Sequence, residues 1–302
     1  MNVQPSKIRQ EIEALLGHRV AESRFIHSSR TSTQDQDGWV LERWLFETSA
    51  GEEIPGTFLR PAEGDAQVPA ILYCHAHGNR YAFGMDELME GRGSLQGAYG
   101  PALQELGIAS LCLEMPAFGA RQDPDEPTRT KAHLWHGRTL FGQMLAEQSA
   151  GISFLADQPV IDPANIGALG FSMGSTHAWW LAALDERIKA AVALCSFADL
   201  ETLIATGDHN GHGIYMMVPG LVERFSSAQV AGLAAPRALM IGVGLQDWST
   251  PDNCFQPART ALEAAYAQAS GKLHVHIEPD HGHEETPAMR TAALNFLESQ
   301  LQ

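Results

Sequence analysis

Short apolar runs recur along this chain, each separated from the next by enough residues for a helix: PAILYCH (69–75), ASLCLEM (109–115), NIGALG (165–170), KAAVALC (189–195), ALMIGVG (238–244) and KLHVHIEP (272–279). Most are nearly continuous in apolar residues, the pattern of strands buried on both faces. Helical patterns fill the gaps near 95–106, 129–157, 173–184 and 253–269, and a last one lies at 286–301. Parallel strands need crossovers long enough to pack a helix back onto the sheet, so this alternation predicts an α/β fold. The expected architecture is one mostly parallel, doubly wound sheet flanked by helices.

Upstream, WVLERWLFET (39–48) and EIPGTFLRP (53–61) read as two antiparallel strands joined at Ser49-Ala50-Gly51. Before them, Ile8, Ile12, Leu15 and Leu16 fall at helical spacing and Gly17 ends that helix. A polar segment follows, around Thr31–Gly38. The chain therefore divides into a helix with a polar extension, 1–38, and the α/β domain, 39–302. Within the domain, 197–235 fits no strand slot. It contains GDHNGHGIYMMVPGL and reads as a lid or cap segment over the site, with irregular surface packing as the alternative.

A formal charge of −16 and a pI near 5.2 oppose general attraction to nucleic acid or anionic membranes, which requires a basic face. The N-terminus lacks the apolar core of a signal peptide, and no run approaches the roughly 18 apolar residues needed to span a bilayer. A soluble, cytoplasmic protein is expected. Its partner would be a small molecule, neither nucleic acid nor membrane, and a homo-oligomer is compatible with the composition. Cys74, Cys112, Cys195 and Cys254 show no CxxC spacing and read as buried, reduced thiols.

Between the third apolar run and the helix after it lies GFSMG, 170–174. Ser172 thus sits on a strand-to-helix turn, with Gly170 and Gly174 where a side chain would collide with neighbouring backbone. A serine hydroxyl attacks only when a histidine, itself held by a carboxylate, removes its proton. Both partners are expected after Ser172, in the order acid then base, at the ends of later strands. Asp247 follows ALMIGVG and is the expected acid; Asp199 is the alternative, although it resembles a helix N-cap. His283 is the expected base, with His281 its competitor in DHGHE, 280–284. His274 and His276 lie inside the last strand and read as structural.

The oxyanion formed during acyl transfer needs N–H donors. Met173, directly after the nucleophile, supplies one, and Asn79 in the AHGNR loop is expected to supply the other. His77 and Arg80 are the candidates for contact with substrate, Arg80 through a substrate carboxylate, with a surface ion pair as the alternative for Arg80. A rival reading uses His75 and His77, an H-x-H pair at a strand end, as ligands of a catalytic metal.

Taken together, HGN at 77–79, GFSMG at 170–174, Asp247 and GHE at 282–284 resemble the α/β-hydrolase superfamily over most of the chain from Trp39 onward. The resemblance is strongest to serine esterases similar to dienelactone hydrolases and acetyl xylan esterases. It implies a carboxylesterase-type hydrolase of a small-molecule ester, working through Ser172, His283 and Asp247 without a cofactor. Thioesterase, amidase and peptidase activities would use the same residues. Dienelactone hydrolases proper use a cysteine nucleophile where this chain has Ser172, which argues against dienelactone itself as substrate.

Overall fold

The computed structural model describes residues 4–62, 64 and 66–302. Among them nine strands form one sheet: β1 (His27–Gln36), β2 (Trp39–Glu47), β3 (Glu53–Pro61), β4 (Val68–Cys74), β5 (Ala109–Leu113), β6 (Ile161–Phe171), β7 (Ile188–Leu194), β8 (Ala238–Gly244) and β9 (Leu273–Glu278). Their order is β1-β2-β3-β5-β4-β6-β7-β8-β9. The pairings β1–β2, β2–β3 and β3–β5 are antiparallel and all others are parallel, as expected of an α/β-hydrolase. The first helices are α1 (Pro5–Leu16), α2 (Glu87–Glu90), α3 (Tyr99–Glu105), α4 (Glu126–Trp135) and α5 (Leu140–Ala156). They are followed by α6 (Met173–Leu184), α7 (Leu200–Thr206), α8 (Ser227–Ala231), α9 (Asp252–Gln268) and α10 (Pro287–Leu301).

Side chains alternate across each strand, so the parallel strands β4 to β8 feed two cores. Leu72 in β4 joins Leu145, Ile152 and Leu181, which α5 and α6 lay on one face. Its neighbours Ile71 and Tyr73 join Leu103 of α3 and Leu297 of α10 on the other. All four cysteines are buried and free, in agreement with their apolar surroundings.

Two segments differ from expectation. Residues 27–36 are strand β1, paired with β2 along its length. As an edge strand it packs against almost nothing, so backbone pairing holds it without apolar side chains, and a polar edge discourages pairing with other chains. The single helix expected over 129–157 is two, interrupted at Gly137, whose φ is +67°. Thr139 restarts the second, its Oγ1 accepting the Gly142 N–H at 2.9 Å. In 197–235, Asp199 caps α7 by accepting the Thr202 N–H at 3.0 Å, and Ser226 forms a capping box on α8.

The site is set by the approach of α6 to β4. A Cβ on Gly174 would overlap the carbonyl of Cys74, far inside van der Waals contact, and one on Gly170 would overlap the Gly174 carbonyl. Both neighbours are backbone and cannot yield cheaply. Gly174→Ala is expected to lower unfolding free energy by about 3 kcal/mol. Gly93→Ala, which meets open space, should stay within about 0.5 kcal/mol of the parent. Urea denaturation of the two variants distinguishes these outcomes, and equal stabilities would contradict the packing described.

Candidate active site

Ser172 links the end of β6 to the first turn of α6 with φ +57° and ψ −119°, a strained conformation for a side-chain-bearing residue. Its N–H donates to Leu194 O at 2.8 Å, which ties the turn to β7. The strain lifts the hydroxyl out of the sheet towards the loops after β8 and β9.

His283 arrives from the loop between β9 and α10. The Ser172 hydroxyl donates to His283 Nε2 at 2.8 Å, and His283 Nδ1–H donates to Asp247 Oδ2 at 2.8 Å. A carboxylate can only accept, so it fixes the proton on Nδ1 and leaves Nε2 basic. Asp247 is only 1% exposed. Its Oδ1 accepts both the N–H and the hydroxyl of Ser249, each at 2.7 Å. Ser249 Oγ also lies 3.0 Å from His283 Nδ1, so one serine braces acid and base together. The two loops are further joined by the Gln246 N–H, which donates to His281 O at 2.9 Å.

The competing residues lie elsewhere. Asp199 is occupied at the α7 cap. His281 is exposed and pairs with Glu284, which holds its pKa above the ordinary histidine value. His276 pairs with Glu278.

The N–H of Met173 stands at the first position of α6, where a helix has no acceptor of its own, and Met173 lines the cavity around Ser172. Asn79 lines the same cavity. Its N–H donates to His77 Nδ1 at 3.0 Å and so is already engaged. His77 lines the cavity as well, and its other nitrogen donates to Glu126 Oε2 at 2.6 Å. Arg80 is exposed and lies over the Phe83 ring at 4.5 Å, outside the cavity lining.

Glu126 is the buried residue that sequence reading missed. It accepts from His77, from the Tyr81 hydroxyl at 3.1 Å and from the Tyr215 N–H at 2.9 Å. Burial pushes its pKa up, but the hydrogen bonds from His77, Tyr215 and Tyr81 outweigh that and hold the carboxyl below its ordinary value. The anion thereby joins the 77–81 loop to the 208–216 segment. Its only sequence sign is an acidic residue beside Pro127 at a helix start, which resembles an ordinary exposed N-terminus.

The metal reading fails on the same hydrogen bonds. His75 Nε2 accepts the Met115 N–H at 3.1 Å and its Nδ1 donates to Ala76 O at 3.2 Å, so both histidines of the pair have both nitrogens engaged. Among the described residues, no three His, Cys, Asp or Glu side chains are grouped to hold a metal ion. None of the described helices is long and apolar enough to cross a membrane.

Ser172, His283, Ser249, Trp248, Tyr215 and the 210–214 segment surround a cavity of about 410 Å³. The segment expected as a lid therefore forms one of its walls. Beside it lies a smaller space of about 30 Å³, sharing Thr176, Ser196, His212 and Ser249 with the main cavity.

With this geometry established, relatives can be compared. The sequence profile of the prolyl oligopeptidase family matches residues 134–301. A Bacillus subtilis protein described as a candidate hydrolase, YtaP, is 32% identical over 295 residues, covering 97% of this chain and 98% of that protein. Acetyl xylan esterase 1 from Thermoanaerobacterium sp. superposes with a TM-score of 0.65 at 15% identity, over the full length of both chains. A glucuronoyl esterase from Solibacter usitatus gives 0.71 at 14% identity, covering 98% of this chain and 93% of that one. At these identities the superpositions speak for the fold.

Two buried histidines beside the elbow make stability depend on pH. Burial lowers the pKa of His75 to about 3 and that of His177, whose Nδ1 donates to Met173 O, to about 4. Both titrate near 6.5 when unfolded, so the unfolded chain takes up protons first as pH falls. Stability is therefore lost progressively from about pH 6.5 downward, by up to roughly 1.4 kcal/mol per pH unit for each histidine. Urea midpoints at pH 7, 6 and 5 should decline in that order; a constant midpoint would contradict the neutral, buried state of these rings.

Proposed function

Because this chain belongs to the prolyl oligopeptidase family of α/β-hydrolases, we propose that it is a serine hydrolase that cleaves a small carboxylic ester through an acyl-enzyme on Ser172. One observation carries the proposal: the continuous hydrogen-bonded chain from the Ser172 hydroxyl through His283 to buried Asp247, with 2.8 Å at both links.

In this reading Ser172 Oγ attacks the ester carbonyl while His283 Nε2 takes the hydroxyl proton. Asp247 stabilises the resulting imidazolium and keeps it oriented. The carbonyl oxygen gathers charge beside the Met173 N–H at the positive end of α6. Asn79 is kept as second donor because an oxyanion is a stronger acceptor than a neutral imidazole nitrogen, so its N–H turns from His77 Nδ1 as charge develops. The bond from the acyl carbon to the alkoxy oxygen then breaks, and His283 returns the proton to the departing alcohol. Water repeats the sequence on the acyl-enzyme, releasing the acid and regenerating Ser172.

The near-full-length structural neighbours named as esterases favour an ester over an amide. A short acyl group is favoured by the small 30 Å³ space beside Thr176 and Ser249, which admits about two water-sized groups. The family's description favours peptidase activity instead, and a matched panel of nitrophenyl esters, thioesters and anilides decides between them. Esters with two- to four-carbon acyl groups should be the best substrates; preferred anilides would overturn the reading.

Ser172→Ala should reduce turnover by roughly 10⁴- to 10⁶-fold and Asp247→Asn by roughly 10⁴-fold. His281→Ala should change it little. Exhaustive chelation should leave activity intact. Loss on chelation with recovery on added metal would restore the metal reading.

A further inference from the structure

The stretch Asp247-Trp248-Ser249-Thr250 follows β8, and its first carboxylate closes on its own backbone. Asp247 Oδ1 accepts the Ser249 N–H at 2.7 Å, the short loop that an aspartate side chain makes with the residue two positions on. The loop leaves Trp248 exposed and turns Ser249 inward, where it is buried. The Ser249 hydroxyl therefore stands beside the carboxylate and beside the His283 ring at once.

Counting protons fixes what that hydroxyl does. Ser249 Oγ carries one hydrogen, and the carboxylate 2.7 Å away can only accept, so the hydrogen goes to Asp247 Oδ1. Both lone pairs of Oγ remain. His283 Nδ1 carries its own hydrogen, given to Asp247 Oδ2 at 2.8 Å, and Ser249 Oγ lies 3.0 Å from the same nitrogen. Ser249 accepts there, and the Nδ1–H is shared between a carboxylate oxygen and a hydroxyl oxygen. The Thr250 hydroxyl, also buried and 3.4 Å from Oγ, faces the second lone pair as a donor.

When His283 takes the Ser172 proton its ring becomes a cation, and an acceptor on Nδ1–H gains most at that moment. Donation of the Oγ–H to a carboxylate polarises the hydroxyl oxygen and strengthens it as an acceptor. An interaction that is stronger in the charged state than in the resting one lowers the barrier instead of tightening ground-state binding.

Resting on the serine-esterase reading, we propose that Ser249 is a positioning residue that acts on the base directly: it is a second acceptor for the His283 Nδ1 proton, beside Asp247 and not merely through it.

A double-mutant cycle separates the two routes. The parent, Ser249→Ala, Asp247→Ala and the double variant are compared in kcat and KM for nitrophenyl acetate, and in the rate at which a fluorophosphonate labels Ser172. Labelling forms the bond from Ser172 Oγ to phosphorus, expels fluoride and passes the hydroxyl proton to His283, so it reads the base whatever the natural acyl bond is. A hydrogen bond to a charged group is worth about tenfold or more in rate. Ser249→Ala should therefore lose about tenfold in kcat and in labelling rate, with KM unchanged. In the Asp247→Ala background the same replacement should cost at least about tenfold again, because the hydroxyl is then the acceptor that this loop retains. Ser249→Thr, which returns a hydroxyl, should stay within about threefold of the parent. An alanine variant as fast as the parent, a loss carried by KM, a loss that disappears once Asp247 is alanine, or a threonine variant as slow as the alanine one would each overturn the proposal. Should the parent label at Ser172 yet hydrolyse no ester, the esterase reading falls, and the labelling rates decide this proposal by the same pattern.

Discussion

The backbone of α6 approaches β4 so closely that Gly174 has no room for a side chain against Cys74, and the placement of Ser172 and the Met173 N–H depends on that contact. It forces the link between β6 and α6 into a turn short enough to hold Ser172 at φ +57°. The turn in turn projects the hydroxyl above the strand ends, within reach of the loops after β8 and β9. Any larger residue at 174 would lift the helix, and the Met173 N–H and the Ser172 hydroxyl would move together. The glycines thus serve geometry at a cost in local backbone entropy that the packed strands around them offset.

Two buried carboxylates organise the site around that turn, each by orienting a histidine. Asp247 accepts from Ser249 and His283, and leaves His283 Nε2 free to receive the serine proton. Glu126 accepts from His77, Tyr81 and the Tyr215 N–H, while His77 Nδ1 takes the Asn79 N–H. The difference lies in the nitrogen that remains. His283 Nε2 faces the Ser172 hydroxyl, whereas both nitrogens of His77 are taken up within the loop opposite. That division also removes His75 and His77 as a metal pair without appeal to any ion.

How much of this was legible in the sequence depends on whether a feature is local. The elbow could be read because Gly170, Ser172 and Gly174 lie within five residues, and Asp247 and His283 because each directly follows an apolar strand. Strand β1 was not legible, since a polar edge strand has no buried face and leaves no alternating pattern. Nor was Glu126: its partners lie 49 and 89 residues away at His77 and Tyr215, and a glutamate opening a helix looks like a solvated one. The engagement of Asn79 is a matter of backbone direction in a loop where both Gly78 and Asn79 have positive φ, and residue type alone does not report it. Arg80, one position on, points to solvent for the same reason.

The central claim is that Ser172 is the one group that becomes covalently bonded during turnover. Its most direct test is titration with a fluorophosphonate, following residual esterase activity and locating the adduct by peptide mass spectrometry at each point. The account predicts a single phosphonyl group on the peptide containing Ser172, with activity lost in proportion to its occupancy. Activity lost without modification of Ser172, or retained when Ser172 is fully modified, would contradict it.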